Sequence, residues 1–69
     1  MKISARNILK GKVVQIKKGP INSLVKVEIV PGVVVTSVVT GEAATELKLK
    51  KGAEVYAVIK ASSILLGTD

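Results

Sequence analysis

The sequence predicts an all-β fold, a small barrel of five short strands with one short helix between the third and the fourth. Three observations carry this. β-branched residues gather in short runs punctuated by glycine and proline. At least one run alternates apolar and polar residues with period two. Helix-forming residues are confined to a single stretch, too short to serve as the crossover of a parallel βαβ unit. A chain of 69 residues has room for one domain, taken here as residues 1–69.

The opening MKISARN is polar and leads into ILKGKVVQI, Ile8 to Ile16, a first strand in which Gly11 suits a bulge or a close backbone approach. KKGPIN, Lys17 to Asn22, supplies the first turn through Gly19 and Pro20. Ser23 to Val30 sets Val25, Val27 and Ile29 on one face with Lys26 and Glu28 on the other, a half-buried strand. Pro31 and Gly32 turn the chain, and VVVTSVV, Val33 to Val39, returns as the other arm of a hairpin. Its near-continuous apolar character predicts burial on both faces, by the core and by a partner copy. TGEAATEL then reads as a helix of about two turns, with Thr40 as N-cap, Glu42 and Glu46 in its early turns and Gly52 as the stop after KLKK. Ala53 to Lys60 alternates as a fourth strand, and Ile64 to Leu66 forms a short fifth. Five short strands in this order describe a Greek-key barrel of the oligonucleotide/oligosaccharide-binding type, with a five-stranded SH3-like barrel as the runner-up.

Composition narrows the chemistry. Apolar residues make up 48% of the chain and aromatics 1%, the single Tyr56. So short a chain leaves much of that apolar supply wet unless copies cover one another, which predicts a homo-oligomer. Cysteine and histidine are both absent, which removes disulfides, thiolate metal sites and the commonest general base. Eleven Lys and Arg stand against five Asp and Glu, a net charge of +6, so an anionic partner fits, although scattered lysines also serve solubility. No apolar run approaches the eighteen or so residues that span a bilayer, and MKISARN opens no secretory signal. A cytoplasmic protein with no membrane partner is expected.

Catalysis is hard to build from these residues. Glu28, Glu42, Glu46, Glu54 and Asp69 each fit a solvated strand face, a helix turn or a chain end, and no base accompanies the Ser, Thr and Lys nucleophiles. A non-enzymatic binding role is expected, with no catalytic residue, no cofactor and no directly ligated metal. Single-stranded nucleic acid, reached through Lys10, Lys12, Lys17, Lys18, Lys48, Lys50 and Lys51, is disfavoured because only Tyr56 is available for base stacking. A small tetrahedral dianion needs short donors converging from several directions, with a cation or two. The chain offers such donors at three places: Ser4 and Arg6 in SARN, Thr40 at the helix start, and Lys60, Ser62 and Ser63 in KASS. Each also has an ordinary reading, as an N-cap for Thr40, a solvated strand lysine for Lys60 and a plain turn for Ser62 and Ser63.

Taken in order, SARNILKGKV, the KKG turn, TSVVT, EL followed by LKKGAEV, and VIKAS resemble the molbindin family, the small molybdate-binding Mop proteins. The resemblance spans essentially the whole chain. It implies a hexamer, a trimer of dimers, that stores or buffers molybdate or tungstate at sites between subunits. By position, Ser4, the Ala5 N–H and Arg6 would come from one subunit, and Thr40, Lys60, Ala61 and Ser62 from a neighbour. Relatives often carry Ser or Thr where this chain has Ala43, which leaves only a main-chain N–H at that position. Sulfate is a tetrahedral dianion too, so the donors alone do not select molybdate.

Overall fold

In the computed structural model, which describes residues 2–69, four strands form one antiparallel sheet. Met1 of MKISARN lies outside the described residues. The strands are β1 (Asn7–Lys18), β2 (Asn22–Val30), β3 (Val33–Thr40) and β4 (Glu54–Ile59), in the spatial order β3-β2-β1-β4. One helix, α1 (Gly41–Glu46), follows β3, and a single 3₁₀ turn (Ala61–Ser63) follows β4. The fold is all-β with a short helix between the third and fourth strands.

β1 is the spine, because its first half pairs with β4 and its second half with β2. The register slips between Val13 and Gln15, so the bulge that bends the strand sits there and not at Gly11. Gly11 instead marks a close approach of β1 to β2. A Cβ at that position would stand 2.7 Å from both the Glu28 carbonyl oxygen and Val27 Cγ1, closer than any side chain can come.

Where β1 and β2 curl together they enclose the core. Val13 is 1% exposed, Val25 3% and Val27 5%, with Ile16, Ile29, Val35, Val39, Leu49, Ala53 and Val55 packed around them. Val25 and Val27 lie on the inward face that their alternation requires. The hairpin joining β2 to β3 closes on Val30 opposite Val33, leaving a two-residue loop. Pro31 and Gly32 fit a type II turn, since the second position needs a positive φ and Gly32 has φ 85°.

α1 is held at both ends. Thr40, in extended backbone, caps it by accepting the Ala43 N–H at 3.0 Å, and the Gly41 N–H donates to the Ile21 carbonyl at 2.9 Å. The helix closes before Gly52. Lys48 takes φ 54°, its N–H reaches the Thr45 carbonyl, and the Leu49 N–H reaches the Ala44 carbonyl at 3.0 Å. This paired closure normally carries glycine at the left-handed position. Gly52, with φ 93°, serves the next turn, whose own N–H bonds the Val13 carbonyl at 2.7 Å.

The expected fifth strand changes. Ile64–Leu66 forms no strand in the single chain: after the 3₁₀ turn the backbone extends at Ile64, yet Leu65 and Leu66 are 92% and 94% exposed. A strand needs a partner for its backbone groups, and the chain presents none to this segment. On β3, Val33, Val34 and Val38 remain exposed within one copy, on the face for which the sequence expects a partner.

Candidate oxyanion-binding site

The donors predicted from sequence fall into two groups at opposite ends of the sheet. At one end β1 begins and β4 stops. Asn7 pairs with Ile59 as the closing pair of the β1–β4 ladder, and the Asn7 Nδ2 donates to the Ile59 carbonyl at 3.2 Å. Ser4, Ala5 and Arg6 run into this pair from one strand, and Lys60, Ala61 and Ser62 leave it on the other. Arg6 and Lys60 therefore stand one residue beyond the same closing pair, side by side in sequence register. Both are exposed, as are Ser4, Ala61 and Ser62, while Ala5 is half-buried. Neither residues 2–6 nor residues 60–66 contain a carboxylate, so these segments carry no side-chain anion of their own beside the two cations.

Asn7 is the residue that sequence reasoning left out of the donor set. Its amide reaches across to β4 and ties the arm to the strand that carries Lys60. A short polar side chain immediately before a β-branched run was the available signal, and it also fits an ordinary strand start.

Thr40 belongs to the other end. It pairs with Asn22, and Ser23, next along β2, pairs with Lys18, where β1 finishes. From Asn7 to Lys18 the strand covers roughly 35 Å along its curved path, at about 3.3 Å per residue. Within one chain, Lys60, Ala61 and Ser62 thus continue from the pair that Ser4–Arg6 lead into, and Thr40 lies on the last pair of the β2–β3 ladder.

The hydrogen bonds at the helix start also sort the donors there. The Ala43 N–H already binds Thr40 Oγ1 and the Thr45 hydroxyl is directed to the Gly41 carbonyl at 3.0 Å. The Ala43 amide is committed inside the chain. A hydroxyl that accepts one bond still has its own proton to give, so Thr40 caps the helix and keeps a donor for a second partner.

Among the described residues, no group of three or more His, Cys, Asp and Glu side chains comes together to hold a bare metal ion. No helix among the described residues is long and apolar enough to cross a membrane. An ion pair between Lys10 and Glu54, at 3.3 Å, is exposed on both sides and lies away from the Arg6–Lys60 end.

Comparison with known proteins identifies the family. The TOBE domain model matches residues 3–66. Over all 69 residues the chain is 51% identical to a probable molybdenum-pterin-binding protein of Haemophilus influenzae, with both chains covered in full. Its fold superposes on MopII from Clostridium pasteurianum with a TM-score of 0.90 at 43% identity, covering 97% of this chain and 100% of the other. With the cytoplasmic molybdate-binding protein ModG, crystallised with molybdate bound, the TM-score is 0.95 at 48% identity, covering 100% of this chain and 49% of that one. These relatives are described as binding proteins. With its whole length matched by the small Mop proteins and residues 3–66 by the domain model, the chain belongs to the TOBE-domain family, in its molbindin (Mop) branch.

Proposed function

We propose that residues 1–69 form one domain that binds molybdate or tungstate without transforming it, as a cytoplasmic store or buffer for the anion. The observation that carries this reading is the pairing of Arg6 and Lys60 beyond the Asn7–Ile59 closing pair, with no carboxylate in either segment. Two cations in register repel unless an anion lies between them. A tetrahedral dianion there would take charge-assisted bonds from both, with the Ser4 and Ser62 hydroxyls and the Ala5 and Ala61 main-chain groups around it.

Thr40 enters from a second copy. It stands at the far end of its own sheet, so a site using both halves joins two chains. Among the described residues, fourteen large apolar side chains lie exposed on the single copy, which favours assembly over a lone subunit. A hexamer built as a trimer of dimers supplies such junctions by symmetry. The named ligands of the relatives, molybdenum-pterin and molybdate, select molybdate among tetrahedral dianions.

Titration calorimetry with molybdate, tungstate and sulfate tests the reading. Molybdate and tungstate are expected to bind with sulfate far weaker; equal, weak heats for all three would sink it. Arg6→Ala and Lys60→Ala should each lower molybdate affinity about tenfold or more, the loss of one hydrogen bond to a charged group. Native mass spectrometry should show the oligomer unchanged in both.

A further inference from the structure

We propose that Asn7 is the positioning residue of the oxyanion site, its side-chain amide fixing the spacing of Arg6 and Lys60 and with it the size of ion they accept. The inference rests on the preceding reading of that site, but the spacing itself is open to test without any anion.

Pairing of β1 with β4 stops at Asn7 and Ile59, so Arg6 and Lys60 stand past the last rung of the ladder. The ladder alone does not set how far apart they stay. On the β4 side the turn bonds are local: the Lys60 carbonyl accepts the Ser63 N–H at 2.9 Å, and the Ala61 carbonyl accepts the Ile64 N–H at 3.3 Å. What crosses between the two sides is the Asn7 amide, which donates to the Ile59 carbonyl at 3.2 Å. That carbonyl belongs to the peptide joining Ile59 to Lys60, so pinning it fixes the direction in which Lys60 leaves the strand. The donor sits next to Arg6. Exposure alternates here, with Asn7 half-buried between exposed Arg6 and Ile8, and Ile59 half-buried between exposed Val58 and Lys60. The tether therefore lies on the inner side of the strands and the cations on the outer, and the amide holds them from behind.

Asparagine suits this task and its near relatives in size do not. Its amide brings N–H donors on a short stem, whereas aspartate would turn lone pairs on the Ile59 carbonyl and set a carboxylate beside both cations, and leucine has no donor. Spacing matters because charge alone does not sort the ions. Two cations attract any tetrahedral dianion, molybdate and the smaller sulfate alike. A held separation sorts them: the ion that spans it keeps good bonds to both cations, and the smaller one gives up length on at least one side. Releasing the tether lets the pair close on the smaller ion and removes the preorganisation that favours the larger.

The chain has no cysteine, which allows the spacing to be read by thiol chemistry. Residues opposed across antiparallel strands lie about 4.5–5.5 Å apart at Cα, within disulfide reach, so Arg6→Cys with Lys60→Cys should close a bond inside one chain when equilibrated with glutathione. Adding Asn7→Leu should lower that equilibrium constant about tenfold, the worth of one ordinary hydrogen bond. Asn7→Gln, which keeps a donor on a longer stem, should lie between and remains informative if Asn7→Leu does not fold. Equal constants with Asn, Gln and Leu at position 7 would overturn the proposal. In chains that keep Arg6 and Lys60, calorimetry should show Asn7→Leu lowering molybdate affinity about tenfold while sulfate affinity stays and the β-sheet circular dichroism is unchanged. An equal loss for both ions would make Asn7 a plain structural residue and overturn the proposal as well. A disulfide that weakens with no molybdate heat in any chain would leave the spacing role standing and remove the oxyanion reading. Molybdate heat with an unmoved disulfide would do the reverse.

Discussion

Val13 and Leu66 are both aliphatic, yet one is 1% exposed and the other 94%. The difference lies in their neighbours, not in their chemistry. β1 has a strand on each side and a curled sheet folding over its inner face, so Val13 finds a second layer within its own chain. The residues after β4 and the outer valines of β3 have no such layer. A short chain rich in aliphatic residues makes more apolar surface than one copy can enclose, and much of the surplus lies at the edge strands and the segment beyond them.

The strongest way to break that comparison is to injure the enclosed region. Gly11→Val would drive a branched side chain into the Glu28 carbonyl and Val27; a loss of about 3 kcal/mol or more is expected from overpacking against backbone, read as a fall in the denaturant midpoint. A smaller effect is expected at the junction between enclosed and open regions. Thr40→Ala removes the helix cap and should cost about 1 kcal/mol, while Thr40→Ser should restore both stability and anion affinity. If Ser restored stability alone, Thr40 would be a cap and nothing more. The smallest change is a gain. Lys48→Gly relieves a left-handed backbone position and should raise stability by about 0.5–1 kcal/mol, with the helix otherwise unaltered by circular dichroism.

Much of the fold was legible because its signals are local. The alternation of Val25, Val27 and Ile29 placed β2 and its buried face, Pro31–Gly32 placed the hairpin, and Thr40 placed the start of α1. The misreadings concern features that depend on distant or absent partners. Lys48 ends the helix in a conformation that glycine usually fills, so Gly52 looked like the stop. Ile64–Leu66 has strand-forming residues but no intrachain partner, and composition alone cannot reveal that. Of the candidate site, the residue types were legible and their grouping was not. That Lys60 stands beside Arg6 follows from the pairing of Asn7 with Ile59, a register set by the whole curl of β1.

That pairing joins residues separated by 52 positions. Closing that loop costs entropy before any contact repays it, and non-local pairings of this kind slow folding. Arg6 and Lys60 are strangers until then. If the proposed site holds, a partly melted chain would bind the dianion poorly, and affinity for the anion would report that the sheet is complete.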